Sequence, residues 1–394
     1  MDMHHNETRE SSREPRAARR KMSRRPTHGV ALRCVASRLS PPLATRNWQL
    51  ATRAFTLTEL LVVVTIIAIL ASLITGAALN ALNRAKQAAI TLELQQLGQA
   101  MEDFKTDYGA YPPNAMSGGN NYNGNQVFNT IQSDVVRMFK KAFPRSREPL
   151  GLIQTLAGNT SGRTGNPRDL PGGMTSAEAV VFWLGGFSED PQYPISGPGG
   201  PSFTDSDGDS DGDLEGSDEV LENRNRRYEF DLGRLVPRSD TGSFDQGTNG
   251  RYIDYDDPRT GVLRRINLWL YTPGGSQLPL AYFDTSRHDP VDYDPDLSGS
   301  AAVNIFAIKK LREGFDATAP PEVGDIVYVN TKKFQLLHPG LDDEWGDWSG
   351  FSMVNAASVD NASAVAVFPD GPFIGDIADT VTSFFSGTLE DEQE

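Results

Sequence analysis

Arg53-Ala-Phe-Thr-Leu-Thr-Glu-Leu-Leu-Val-Val-Val-Thr-Ile-Ile-Ala-Ile-Leu-Ala-Ser-Leu-Ile74 decides how the rest of the chain is read. It places a basic flank, one aromatic residue and one acid ahead of an apolar run. No charge occurs from Leu60 to Leu79, and about 20 such residues span a hydrocarbon core of roughly 30 Å. Thr65, Ser72 and Thr75 interrupt the run without spoiling it, because hydroxyls bond back to helix carbonyls. A cleaved secretory signal has a shorter apolar region followed by small residues. Here the small residue Ala54 precedes the run. Glu59 is the odd member: an ionisable group at the edge of a membrane-length helix is costly and is expected to have a partner and a task.

Charge is divided along the chain. Residues 1–54 hold 12 Lys and Arg against 4 Asp and Glu, which leaves 25 of the 37 basic and 48 of the 52 acidic residues to the remaining chain. With Arg46 and Arg53 beside the span, the excess of cations places 1–54 in the cytoplasm and everything after about residue 80 outside. The acidity of the exported part argues against nucleic-acid binding, which needs a cationic surface. The one cysteine, Cys34, lies in the leader. No disulfide framework is therefore available to the part beyond it, which must hold together by packing or a bound metal. The Arg/Pro/Ser-rich stretch 1–45 reads as disordered, and Met22 is an alternative start.

Ala54-Phe-Thr-Leu-Thr-Glu-Leu-Leu-Val-Val-Val64 resembles the N-terminal cleavage and methylation motif of type IV pilins and type II secretion pseudopilins. The resemblance implies cutting by a prepilin peptidase between Ala54 and Phe55, methylation of the new Phe55 amine, and an assembly role for Glu59. The sequence departs from the family in having Ala54 where Gly is usual before the cut, and Thr58 where an aliphatic residue usually precedes the acid. Physically, a new amine in apolar surroundings is neutralised by a neighbouring subunit's carboxylate, and low dielectric makes that pairing select the register. The plain alternative for Glu59 is an interfacial side chain that snorkels to water.

The apolar pattern continues past the span. Leu79, Leu82, Ile90, Leu94, Leu97, Met101 and Phe104 keep three-or-four spacing, and no proline occurs between Phe55 and Tyr111. This predicts one helix, spanning at 55–79 and amphipathic at 80–111, and closed by Tyr108-Gly-Ala-Tyr-Pro-Pro113 with Gly109 as cap. Gly76 is either a point of loosening or a glycine tolerated in a membrane helix. The segment 104–113 also resembles the major pseudopilin of type II secretion, where this helix ends in a Tyr-Pro turn.

Residues 112–394 form the expected exported domain. Gly, Asn and Ser make 114–174 loop-like, with a short helix near 127–142. Thr175-Ser-Ala-Glu178 is a capping-box pattern ahead of an apolar run. Strands are predicted at Tyr228–Val236, Ile266–Thr272, Leu280–Asp284, Val303–Ile308, Asp325–Val329 and Lys333–Leu337, with a further short element at Thr380–Phe385. The fold class is α+β: a long N-terminal helix on a small antiparallel sheet, pilin-like, with large loop insertions.

Two acidic stretches raise calcium. In Asp205-Ser-Asp-Gly-Asp-Ser-Asp-Gly-Asp-Leu-Glu-Gly-Ser-Asp218 the carboxylates of Asp207, Asp209 and Asp211 alternate as hard-ion ligands, Gly212 supplies a turn and Asp218 closes the register. An EF-hand has Glu at that last place, so a calcium loop and a solvated acidic loop both remain open. Phe334-Gln-Leu-Leu-His-Pro-Gly-Leu-Asp-Asp-Glu-Trp-Gly-Asp347 resembles the C-terminal calcium-ordered loop of major pseudopilins. That resemblance implies Asp342, Asp343 and Asp347 as ligands; the competing reading is an acidic hairpin loop over packed Trp345 and Trp348.

Catalytic patterns are weak. Neither a phosphate loop nor HExxH occurs. The single G-x-S-x-G string, Gly208-Asp-Ser-Asp-Gly212, lacks the strand–turn–helix frame of a nucleophile elbow. His288 and His338 read as surface residues. The expectation is a structural subunit of a type II secretion pseudopilus, held in the inner membrane by one span with its exported domain in the periplasm. Its implied partners are further copies of itself, the prepilin peptidase, the inner-membrane assembly platform and the membrane. The alternatives are a pilin of a surface fibre or DNA-uptake apparatus, and a membrane-anchored exported binding protein or enzyme that never polymerises.

Overall fold

The structure is a computed structural model. It describes residues 56–114, 121–125, 127–158, 173–202, 226–237, 251–261, 263–295, 305–316, 318–354, 356 and 362–393. By internal packing the chain divides into two compact units, residues 1–64 and 65–394.

The first element, α1 (Leu57–Tyr108), is a 52-residue helix, about 78 Å long at 1.5 Å per residue. Every residue from 56 to 86 is exposed, including Leu60, Ile66, Ile69 and Leu73 at half or more of their full area. From Ile90 the helix changes character. Ile90, Leu94, Leu97, Met101 and Phe104 form a stripe at alternating four- and three-residue spacing, and each is at most 4% exposed. Fully burying side chains of this size stabilises by about 1.5–3 kcal/mol apiece, so this half of α1 is the spine of the core. The helix runs unbroken through Gly76. Ser72 Oγ donates to the Ile69 carbonyl (2.8 Å) and Thr75 Oγ1 to that of Ala71 (2.8 Å), which internalises their polarity.

Gly109 ends the helix with φ +74°. Its N–H donates to the Lys105 carbonyl at 2.6 Å and its own carbonyl accepts from Lys141 Nζ at 2.8 Å. A cation at the carbonyl end of a helix is favourable to the dipole. Tyr111 then folds back, donating to Glu102 Oε1 at 2.8 Å.

Among the described residues three shorter α-helices follow: α2 (Phe128–Ala142), α3 (Leu150–Leu156) and α4 (Ser176–Leu184). The capping box expected at 175–178 is formed, with Thr175 Oγ1 accepting from the Glu178 N–H and Glu178 Oε2 from the Thr175 N–H. All nine residues of α4 are buried, as befits a helix apolar nearly all round. Glu178 is tolerated there because Arg251 Nη1 donates to its Oε2 at 2.9 Å while Nη2 satisfies the Gly173 carbonyl at 2.7 Å.

Among the described residues nine short strands follow: β1 (Leu235–Pro237), β2 (Tyr252–Asp256), β3 (Leu263–Asn267), β4 (Trp269–Tyr271), β5 (Ala281–Asp284), β6 (Lys309–Leu311), β7 (Ile326–Tyr328), β8 (Phe334–His338) and β9 (Val381–Thr382). They pair antiparallel as β1-β4, β2-β3, β6-β7 and the three-stranded β5-β8-β9. The fold is α+β in the pilin-like manner, with the amphipathic half of α1 packed against small antiparallel sheets. The single expected sheet is thus four small ones. The main core joins the α1 stripe to α2, α3, α4 and the strands. A second core gathers Trp345, Trp348, Phe351 and Phe373 beneath β5 and β8.

Several predicted boundaries move for local reasons. Within Tyr228–Val236 only Leu235 onward is strand, because Asp231 caps a helical turn at Leu232–Arg234 by accepting from the Gly233 N–H at 3.0 Å. The predicted strand at 266–272 splits at Leu268, where the chain passes from pairing with β2 to pairing with β1. At the end of the predicted 303–308 strand, Ile308 is met by the side-chain amide of Gln335, which bonds both its N–H and its carbonyl at 2.7 Å. A side chain there does the work of a neighbouring strand, and the ladder begins one residue later. α3 and β2 were not expected.

Candidate processing and assembly site

α1 begins with its own capping box. Thr56 Oγ1 accepts from the Glu59 N–H at 3.2 Å, and Glu59 Oε2 accepts from the Thr56 N–H at 2.9 Å and its hydroxyl at 2.8 Å. Thr-x-x-Glu is the reciprocal pattern that satisfies two otherwise orphaned donors at a helix start. The reading of 54–64 did not single out Thr56, although the spacing is the same as at 175–178. Thr58, one of the two departures from the family pattern, brings its hydroxyl to 3.1 Å from that of Thr56, so a polar residue there extends the network. Glu59 itself is exposed. Its Oε2 is occupied, whereas among the described residues Oε1 has no hydrogen-bond partner, leaving one oxygen for an incoming cation. Ala54 and Phe55 lie outside the described residues, as do Asp207, Asp209, Asp211 and Asp218.

The loop after β8 does not converge on an ion. Asp343 accepts from the Ser276 hydroxyl and from the N–H groups of Gln277 (2.8 Å) and Leu278 (3.2 Å), clasping the 273–278 turn. Asp342 Oδ1 accepts from Glu344 N at 3.0 Å, and Asp347 Oδ1 from Ser349 N at 2.9 Å. That last bond, with a second from the Ser349 hydroxyl, holds the Asp347 carboxyl below its usual range. Ca²⁺ requires six to eight oxygens around one point. Among the described residues, no group of three or more His, Cys, Asp or Glu is placed to hold a metal. The carboxylates of Asp342, Asp343 and Asp347 each accept hydrogen bonds from turn donors. Trp345 and Trp348 are buried beneath the loop, as in the competing hairpin reading.

Both histidines depart from expectation. His338 is fully buried; its Nδ1 accepts from the Gly340 N–H at 3.0 Å, and burial pushes it down to about 4. β8 is buried along its whole length, so its last residue lies inside. His288 lies 2.5 Å from Asp134 Oδ2 through Nε2 and edge-on to Tyr293, tying the 285–293 loop to α2. Beside His338, Asp379 Oδ2 accepts from the N–H groups of Leu341 (2.6 Å) and Asp342 (3.2 Å). Partial burial, reinforced by the Asp342 and Glu390 carboxylates, pushes Asp379 up to about 6.

Among the described residues, α1 is the one helix long and apolar enough to cross a membrane. Residues 51–75 match the model of the prokaryotic N-terminal methylation motif. The match brackets Ala54, Phe55, Thr56 and Glu59, and covers the start of the apolar half of α1. Neither a curated protein nor a solved structure matches the chain.

Proposed function

We propose that this chain is a structural subunit of a type II secretion pseudopilus, cut by a prepilin peptidase between Ala54 and Phe55 and polymerised through α1. The observation that carries the reading is the division of α1. Residues 60–79 are uncharged, apolar nearly throughout and exposed on every side, while the stripe from Ile90 to Phe104 is spent on the chain's own core. In the membrane the first half is solvated by lipid; in a filament it is covered by the same half of other copies. Glu59, with one free oxygen, is positioned in this reading to neutralise the Phe55 amine of a neighbouring subunit. The basic flank before the span supports a cytoplasmic N-terminus, and the acidic remainder supports an exported domain. The role is mechanical, with no reaction assigned to this chain.

Mass spectrometry of the mature N-terminus tests the reading directly. An N-methylated Phe55 is expected, and an uncut leader would leave only the anchored, non-polymerising alternative. A neighbouring secretion ATPase and secretin would favour the secretion filament, and adhesion or uptake genes the surface fibre or DNA-uptake pilin.

Calcium is proposed only for the 205–218 run, on the alternation of its carboxylates. Titration calorimetry of the detergent-solubilised chain should show uptake that Asp209→Ala removes and Asp347→Ala leaves in place. No heat in the parent chain would discard the site.

A further inference from the structure

The exported part is strongly acidic, yet its charges are segregated. Between Val135 and Arg147 stand five cations, Arg137, Lys140, Lys141, Arg145 and Arg147, and no acid. From Pro339 to Glu394 stand twelve acids and no Lys or Arg.

The structure shows what becomes of these cations. Every described arginine from Arg227 to Arg287 is paired with a carboxylate. Lys140, Arg145 and Arg147 are exposed, and among the described residues none has a carboxylate within ion-pair distance. Lys141 is also exposed and gives Nζ to the Gly109 carbonyl. Arg137 is 76% exposed and reaches Asp134 only at 3.6 Å.

The two acids that flank the stretch are turned to other work. Asp134 is taken by His288. Glu148 accepts from the backbone N–H groups of Ile195 (2.9 Å) and Ser196 (2.7 Å) and from the Ser196 hydroxyl. The end of α2 and the turn after it therefore present a basic face of exposed cations that, among the described residues, lack a close carboxylate partner apart from the loose Arg137–Asp134 contact.

The C-terminal part carries the complement. Asp342 and Glu390 lie close enough to raise Asp379; Glu344 is exposed and Asp376 half-buried. Among the described residues no cation pairs with any of these five. Among the described residues no hydrogen bond or ion pair joins this acidic surface to the basic face.

We propose that the basic face formed by Lys140, Arg145 and Arg147 docks a second copy of this chain, seating on its acidic C-terminal surface around Asp342, Glu344 and Glu390. The inference rests on the filament reading and adds a head-to-tail electrostatic contact between exported domains. Two different, complementary patches on one chain make a heterologous contact, which repeats into an open helical array instead of closing as a dimer. Charge complementarity favours this occupant: the partner surface must be acidic, and each copy carries one. It also sets register and orientation, the usual contribution of interfacial charge.

The test uses the full chain. In cells, K140E/R145E/R147E and D342K/E344K/E390K should each insert and be processed normally, yet lower the yield of polymer by at least about tenfold, since like-charge juxtaposition costs several kcal/mol. Co-expression of the two triple variants should restore mixed polymers, because each can offer an intact patch to the other. A chain carrying both reversals should recover yield by exchanging the signs. Unchanged yield in the first variant, or no recovery in the double reversal, overturns the proposal.

A separate readout covers misfolding and failure of the filament reading itself. In an E59A background, sedimentation of the detergent-solubilised chain should show self-association that added salt dissolves, as screening requires. No salt-sensitive association there overturns the proposal, whatever the filament does. Absence of polymer in the parent chain, with salt-sensitive association retained, overturns only the filament reading. Binding of the basic face to phosphatidylglycerol vesicles or to DNA, lost in K140E/R145E/R147E without any change in self-association, would reassign the face to that other occupant.

Discussion

Glu93, midway along the packed half of α1, accepts a hydrogen bond from the hydroxyl of Tyr271 on β4, 178 residues further on. The same oxygen accepts from Arg234 Nη1 at 2.8 Å, and the other from the Gly274 N–H at 2.9 Å. Burial and the Glu93 carboxylate push the Tyr271 phenol well above its ordinary value. The contact fixes the rotation of α1 about its axis, since the apolar stripe alone would allow small slips against the β1–β4 pair. Glu93→Gln should destabilise by about 1–3 kcal/mol, the cost of leaving charged or buried partners short of a bond. Tyr271→Phe should cost about 1 kcal/mol. Chemical denaturation checks both, and the double variant should be less damaging than the sum.

At the start of α1, Glu59→Ala should leave membrane insertion intact and abolish polymer formation. Normal assembly in that variant would refute the charge-neutralisation account. Thr56→Val removes the cap and should weaken the first turn by about 1 kcal/mol. Its diagnostic effect is faster amide exchange confined to residues 57–60, with the span itself unaffected.

The pair Lys309 and Asp294 is almost wholly buried, with Nζ 2.7 Å from Oδ1. Lys309 Nζ also donates to the Phe351 carbonyl at 2.6 Å, and Asp294 Oδ2 accepts from the Met353 N–H at 2.8 Å. Lys309→Met should cost about 3–5 kcal/mol, because it strands a buried carboxylate. Adding Asp294→Asn should recover much of that loss in thermal unfolding. A double variant no better than the single would show that the pair's hydrogen bonds outweigh its charge.

Two titrating groups near β9, the buried His338 and the half-buried Asp379, oppose each other. His338 is held down to about 4 from 6.5, so the unfolded chain binds the extra proton between those values and stability falls as pH falls through that window. Asp379 is held up to about 6 from 3.8, so the folded chain binds the extra proton and stability falls as pH rises through that window. The two slopes offset one another between about pH 4 and 6. His338→Gln should therefore expose stability that declines with rising pH there, and Asp379→Asn stability that climbs. Denaturation midpoints measured across the interval would show the opposite tilts.

How much of this was legible in sequence differs along the chain. The run from Arg53 to Ile74 determined the membrane-length helix by itself, because twenty uncharged residues and no proline leave few other solutions in lipid. The spacing from Ile90 to Phe104 determined the buried face, and Thr175 with Glu178 determined where α4 starts, because these patterns are local. The cap formed by Thr56 and Glu59 was equally local and was passed over in favour of Glu59 alone. The strand ends were not legible. They depend on partners remote in sequence: the Gln335 amide takes the place of a strand at Ile308, and around Leu268 the chain exchanges β2 for β1 as its partner.

The side chains of the C-terminal loop show the same limit. Sequence counts carboxylates but not their partners, so Asp342, Asp343 and Asp347 read as a possible cage, while the fold points each at a backbone N–H and packs tryptophans below. It likewise cannot tell a surface histidine from His338, which the pairing of β8 with β5 and β9 turns into the core. What the amino-acid order fixes alone is what a single helix or a single turn can express: the span, the stripe, the caps and the uneven spread of charge. Which of those charges are neutralised is a property of contacts between distant segments. Only the tertiary structure decides that the described arginines from Arg227 to Arg287 are paired with carboxylates of the same chain while Lys140, Arg145 and Arg147 are exposed.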